Sequence, residues 1–271
     1  MTFNKIAIIA AKNNSKAIDI KDYLLHQYQS LNFIDISDDS NIANKEYDLI
    51  IAIGGDGLML HLLHIYEKPN HHIPHFYGIN CGTVGFLMNC YNYGDDIMIN
   101  IAKANNSSLH PLRMNVVDND DNVFSKIAIN EVAIFRASSQ AAKIKISVND
   151  QEKIDCLVAD GVLVATAAGS TAYNLSVRGP IIPLEANIIA LTPISPFRPR
   201  NWRGALLSNN SKIIFEIINP LTRIVNVTAD FNEIKSVKRV EIYEEKNFGF
   251  NVLFDSNHSL EARIIAEQFN Y

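Results

Sequence analysis

Cysteine is scarce in this sequence. Cys81, Cys90 and Cys156 are the only three among 271 residues. They are scattered and odd in number, so a reducing compartment is expected rather than a disulfide framework. Positive charge is also in short supply. Against 29 Asp and Glu stand 24 Lys and Arg, a formal net charge of −5. Binding to a phosphate backbone needs a basic face, so no nucleic-acid partner is expected. No apolar run is long enough to cross a bilayer, and no membrane partner is expected. Residues 1–5 lack a basic region followed by a long apolar segment, so no signal peptide is read and a cytoplasmic location is expected. Glycine is absent before Gly54, yet half of the chain's 12 fall between Gly54 and Gly85. The first apolar run is followed by Ala11-Lys12-Asn13-Asn14. That stretch lacks the glycine fingerprint with which dehydrogenases hold a pyrophosphate.

Apolar residues make up 48% of the chain, enough for a sizeable core. The length suits one large or two ordinary domains. Ile6 to Ala10, Phe33 to Ile36, Leu49 to Ile53 and Phe76 to Asn80 read as strands. Helical stretches follow Ser15, run from Leu58 to Tyr66, and span Asp95 to Ala104. Alternating strands and helices predict an α/β domain with a parallel sheet over residues 1–109. After Pro111 the pattern changes. Val123 to Phe135, Lys143 to Val148, Leu157 to Thr166, Lys212 to Ile218, Arg223 to Ala229, Val237 to Tyr243 and Phe250 to Phe254 read as strands, several with strict alternation. A second, mainly β domain is therefore expected over 110–254. A final amphipathic helix is expected within 255–271, from Ser259 to Phe269, folding back onto the first domain.

The chain is organised around Ile50-Ile51-Ala52-Ile53-Gly54-Gly55-Asp56-Gly57. A buried strand meets three glycines and one carboxylate. Glycine lets a ligand approach the main chain, and bare amide donors complement phosphate. Gly54, Gly55 and Gly57 are the candidate phosphate loop. In parallel sheets ligands bind beyond the carboxyl ends of strands, where Asp56 falls. A carboxylate there can orient a hydroxyl, accept its proton, or bind Mg²⁺ through water. A second glycine loop, Cys81 to Leu87, follows the next strand.

Other segments carry polar groups where apolar ones are expected. Asn130-Glu131 interrupts an apolar run and either finds a buried partner or faces outward at a bulge. Asp160-Gly161 interrupts another. Thr166 to Tyr173 is a small-residue loop, suited to a planar polar ligand or to a capped strand-to-helix connection. It is not the nucleophile elbow of hydrolases. His71, His72 and His75 form a loop that reads as polar rather than as a metal site, since no acid or Cys ligands accompany it. Arg198, Arg200 and Arg203, with Trp202, form a basic loop that is either solvated or turned toward anionic ligands.

These elements together resemble the NAD kinase family, which shares its glycine-loop architecture with diacylglycerol kinases and 6-phosphofructokinases. In family order come Gly54-Gly55-Asp56-Gly57, then Gly78-Ile79-Asn80 through Gly82 to Gly85-Phe86-Leu87, then Asn130-Glu131, Asp160-Gly161 and Gly169-Ser170-Thr171-Ala172-Tyr173. They cover most of the chain. The resemblance implies a Rossmann-like α/β domain plus a β-sandwich-like domain, in homodimers or homotetramers. It implies transfer of a γ-phosphoryl group from ATP or polyphosphate to the adenosine-ribose 2′-hydroxyl of NAD, with Mg²⁺ brought by the donor. Asp56 would be the base and Gly57 would touch the nucleotide. Asn130 and Glu131 would hold the adenosine half. Asp160, Thr171, Ala172 and Tyr173 would lie on the nicotinamide-ribose side. His61, Phe86, Ala168, Asn174, Ser176 and Asn232 would also line the NAD site. The chain departs from the family pattern at Leu58, Val158, Ala167-Ala168 and Asp230-Phe231-Asn232. A lipid or sugar kinase of the sibling families, and a non-catalytic NAD-binding regulator, are the alternative readings.

Overall fold

Isoleucine-rich runs bury both faces when they lie inside a layered sheet. The computed structural model describes residues 3–37, 42, 45–67, 72–83 and 85–256. In it β1 (Ile6–Ala10), β2 (Ile34–Asp35), β3 (Leu49–Gly54) and β4 (His75–Asn80) pair in parallel in the order β2-β1-β3-β4. β1 and β3 are buried along their whole length. The last strand among the described residues, Phe250–Phe254, adds beside β4 in parallel, and β5 (Asn105–Leu109) pairs antiparallel with it at the edge. The strand order reverses at the β1–β3 pair, the point where such sheets receive ligands.

Among the described residues, three α-helices belong to this unit: α1 (Ser15–Gln27), α2 (Asp56–Ile65) and α3 (Ile97–Lys103). Ser15 begins α1 rather than preceding it. Asn14 is the cap, because its side-chain oxygen reaches the Ala17 N–H at 3.1 Å. Ile20 and Leu24 of α1 join Ile8, Ile51 and Tyr77 in the core of this unit.

The other unit holds β6 (Leu112–Asp118), β7 (Val123–Ala128), β8 (Glu131–Arg136), β9 (Ala142–Val148), β10 (Gln151–Ala159), β11 (Gly161–Ala165), β12 (Ile188–Ile194), β13 (Ala205–Ser208), β14 (Ile213–Ile217), β15 (Val225–Ala229), β16 (Asn232–Ile234) and β17 (Val237–Glu244). They form two antiparallel sheets, ordered β10-β9-β14-β17-β6-β7 and β13-β12-β11-β8-β15-β16. Met114, Ile146, Phe215 and Val240 of the first sheet share one core with Ile134, Val164 and Val227 of the second. A short helix, α4 (Tyr173–Ser176), lies between β11 and β12.

Three sequence expectations need correction. Val123 to Phe135 is not one strand: β7 belongs to the first β sheet and β8 to the second. Leu157 to Thr166 likewise divides into β10 and β11, one in each sheet. The apolar run continues through both crossings because both sheets face the same core. Phe250–Phe254, assigned from sequence to the β-rich domain, pairs with β4 and β5 instead. One compact unit accordingly runs to Leu109 and resumes at Phe248, while the other is His110–Asn247. The helix expected over Ser259 to Phe269 lies outside the described residues.

Candidate active site

β3 ends on Gly54, and Gly55 caps α2. The helix begins at Asp56 rather than Leu58, because the Gly55 carbonyl accepts the Leu58 N–H at 3.0 Å. Asp56 therefore sits in the first turn of a helix, where the unsatisfied amides favour an anion. Its Oδ2 accepts the Phe86 N–H at 2.9 Å, and its Oδ1 accepts the Leu87 N–H at 2.9 Å. The acid thus fastens the second glycine loop to the first. Further bonds tie together the ends of the central strands. The Ala11 N–H donates to the Ile53 carbonyl at 2.9 Å, and the Cys81 N–H to the Gly54 carbonyl at 2.6 Å. Asn14 Nδ2 donates to the Cys81 carbonyl at 3.2 Å.

A Cβ added at Gly55 or Gly57 would meet nothing within 4 Å. Packing does not require small residues there, whereas close approach of a ligand to the main chain would. Gly57 and His61 are exposed on α2, and Phe86 is half-buried.

In the β-rich unit, the Asn130-Glu131 pair stands where the chain leaves the first β sheet and enters the second. A crossing interrupts the ladder and leaves amides to be satisfied elsewhere. Asp230 takes three of them. Its Oδ2 accepts the Ile129 N–H at 2.7 Å, and its Oδ1 accepts Asn130 N–H at 3.0 Å and Glu131 N–H at 3.2 Å. The Asn130 carbonyl accepts the Thr166 N–H at 2.9 Å, and Thr166 Oγ1 donates to the Ile129 carbonyl at 2.7 Å. A Cβ at Gly169 would lie 2.1 Å from the Asn130 carbonyl oxygen, so the Gly-Ser-Thr-Ala-Tyr segment is pressed onto the Asn-Glu pair.

Glu131 is mostly enclosed, and its Oε2 has no hydrogen-bond partner among the described residues. Burial first, and then the Asp230 carboxylate, push its pKa up to about 8, against a lowering contribution from the Tyr173 amide. Tyr173 is raised in turn by burial, by Glu131 and by Asp160. Its ring packs 5.7 Å from that of Phe135.

Asp160 marks the second sheet crossing. Its Oδ1 accepts Arg136 Nε at 2.5 Å, and its carbonyl accepts the Arg136 N–H at 2.8 Å. Gly161 follows because a Cβ there would strike the Ile134 carbonyl oxygen at 2.0 Å. Val158, which departs from the family pattern, exchanges main-chain bonds with the basic loop: its N–H donates to the Arg198 carbonyl and its carbonyl accepts the Phe197 N–H, both at 2.8 Å. The Arg198 and Arg200 guanidinium groups lie over the Phe197 ring.

Ala168 and Thr171 are buried in a 3-10 turn, Ala172 and Tyr173 are half-buried, and Ser176 is exposed. Asn174 is fully buried and engaged by protein. Its Nδ2 donates to the Ser170 and Pro180 carbonyls, and its Oδ1 accepts Thr192 Oγ1 at 2.7 Å. Its side chain holds the turn, since every polar atom of a buried amide must be matched. Asn232 opens β16 opposite Ala229. Sequence reasoning passed over Asp230, Thr166 and Arg136. The one available signal was Asp230 within Asp230-Phe231-Asn232, where the chain departs from the family pattern. Of the histidine loop, His71 lies outside the described residues. His75 opens β4 edge-on to Phe3, with its pKa lowered by burial.

The family model for the ATP-NAD kinase C-terminal domain matches residues 129–251. The chain is 47% identical over 269 residues to the NAD kinase of Rickettsia rickettsii (strain Sheila Smith), spanning 99% of each. It is 48% identical over 269 residues to that of Rickettsia prowazekii (strain Madrid E), again spanning 99% of each. Its fold is similar to that of yeast NADH kinase complexed with NADH, at TM-score 0.82 and 22% identity, covering 100% of this chain and 89% of the other. The fold is also similar to an NAD kinase from Archaeoglobus fulgidus in complex with ATP, at TM-score 0.77 and 23% identity, covering 97% and 98%. With the glycine loop, the Asn-Glu pair and the Gly-Ser-Thr-Ala-Tyr segment in place across its full length, the chain belongs to the NAD kinase family.

Proposed function

We propose a division of labour among these residues for the NAD kinase reaction, in which the γ-phosphoryl group of a donor passes to the 2′-hydroxyl of NAD's adenosine ribose to give NADP. The observation that carries it is Asp56 itself, clamped at the start of α2 beside two glycines whose missing side chains serve no packing purpose. Asp56 orients the 2′-hydroxyl and takes its proton while the ribose oxygen forms its bond to phosphorus. The bond from phosphorus to the bridging oxygen breaks, and the electron pair leaves with ADP or the shortened polyphosphate. Positioning and charge stabilisation supply most of the catalysis in such transfers.

Asn130 and Glu131 hold the adenosine half. Asp160, Thr171, Ala172 and Tyr173 serve the nicotinamide-ribose half, with His61, Phe86, Ala168, Ser176 and Asn232 as further contacts. Asn174 belongs to the same set of contacts, its side chain also holding its turn. Among the described residues no three His, Cys, Asp or Glu side chains converge on a common cation position. One carboxylate at the glycine loop suits a Mg²⁺ ion that shares its coordination with donor phosphates. Asp56 would hold that ion, which when bound screens the phosphates' charge. A homodimeric or homotetrameric assembly and a cytoplasmic location belong to the same reading, the latter supported by three free cysteines.

A coupled assay for NADP, run with ATP, other nucleoside triphosphates and polyphosphate as donors, tests the reading. NADP forms with at least one donor. Phosphorylation of a lipid or sugar in its place, or NAD binding with no NADP from any donor, would overturn it.

A further inference from the structure

We propose that Asp230 is a positioning residue of the NAD site, fixing the main chain of residues 129–131 so that Asn130 and Glu131 are aimed at the adenosine. The inference rests on the NAD kinase reading for the identity of the ligand. The geometry rests on the chain alone.

Asp230 follows the end of β15, in the left-handed region at φ 51°. Its N–H donates to the Glu131 carbonyl at 3.1 Å, while its carboxylate accepts the amides of Ile129, Asn130 and Glu131. One residue thus makes four bonds to the sheet crossing, about a hundred residues away in sequence. Carboxylate-to-amide bonds are charge-assisted and stronger than neutral ones. They hold in place a stretch of backbone that has left one ladder and barely joined the next. Few other groups do this work: Thr166 bonds the carbonyls of residues 129 and 130, not their amides.

The clamp has an electrostatic consequence. Asp230 brings a second carboxylate beside Glu131, whose Oε2 is buried without a partner. Among the described residues, the other groups facing Glu131 are the Tyr173 amide, which donates to it, and the Tyr173 phenol, itself neighboured by Asp160. An arriving ribose hydroxyl supplies the bond that Oε2 lacks, and it bonds the ionised form best. NAD affinity should then rise as pH climbs through the Glu131 titration.

Isothermal calorimetry of NAD with the full chain, across a pH range bracketing about 8, tests this. Wild type shows affinity rising with pH through a midpoint near about 8. Glu131→Gln removes the pH dependence. Asp230→Asn weakens affinity by roughly tenfold and moves the midpoint to lower pH, a shift that loss of rigidity alone would not cause. Asp230→Glu keeps the charge but misplaces the clamp, so affinity falls while the midpoint holds. That variant also decides the matter should Asp230→Asn not fold. Wild-type affinity in either Asp230 variant, or an unmoved midpoint in Asp230→Asn, would overturn the proposal. The parallel NADP assay is separate: a wild type that binds NAD but forms no NADP defeats the kinase reading, while the calorimetric comparison still decides the role of Asp230.

Discussion

The Asp56 carboxylate accepts the backbone N–H of Leu87 at 2.9 Å, through its Oδ1. Its other oxygen serves the Phe86 N–H in the same way. The acid proposed to orient the phosphoryl acceptor therefore also moors the second glycine loop. An amide at this position presents an N–H₂ group to one of those donors. Asp56→Asn should lower turnover by roughly 10²- to 10⁴-fold, the range for losing a general base. NAD should still bind in calorimetry, more weakly because the loop at 86–87 loses one anchor. Near-normal turnover would remove Asp56 from the chemistry.

Gly57 separates function from stability. It sits in the first turn of α2 with open space where a side chain would be. Alanine is the better helix former, so Gly57→Ala should raise stability by about 0.5–1 kcal/mol. The added methyl occupies the approach to the main chain, so activity should drop. Thermal unfolding and NADP formation measured on one preparation check both halves. A variant that is more stable and fully active would mean no ligand comes near Gly57.

Gly169 predicts the reverse. A Cβ there collides with the Asn130 carbonyl at 2.1 Å, and backbone yields less readily than a flexible side chain. Gly169→Ala should cost about 1–3 kcal/mol, measured by denaturant unfolding. It should weaken NAD binding as well, because the displaced atom belongs to Asn130. Unchanged stability would show that the two motifs are not pressed together.

Glu131 gives a pH signature to folding. Its pKa is about 8 in the folded chain, against 4.5 for the ordinary side chain. Between these values the unfolded chain has released a proton that the folded chain retains. Stability from this group is full below about 4.5 and is lost as pH rises to about 8. Glu131→Gln cannot titrate, so it should be the more stable chain above that range by roughly 1–3 kcal/mol. Identical pH profiles of unfolding for the two chains would contradict the burial of Glu131.

Much of this was legible in the sequence, for physical reasons. Isoleucine runs at β1 and β3 and the glycines from Gly54 onward are local signals, and they mark the parallel sheet and the carboxyl end of its central strand. The alternation in Lys143 to Val148 marks a sheet with one buried face. What escaped was non-local. The crossings at Asn130 and Asp160 are hidden because the same core continues on both sides, so hydrophobicity does not break. Phe250–Phe254 reads as a strand, but nothing within it says which sheet it joins. The polar edge strand Asn105–Leu109 has no apolar period. β12 contains Pro193, and a proline inside a run argues against a strand. Asp230 looks like an ordinary turn acid, since its three amide partners lie about a hundred positions earlier.

The most direct measurement is a crystal structure of the chain soaked with NAD. The adenosine-ribose 2′-oxygen is expected within hydrogen-bond reach of the Asp56 carboxylate, roughly 2.6–3.2 Å. A well-ordered dinucleotide with that oxygen beyond the reach of Asp56, directly or through one water, would contradict the account.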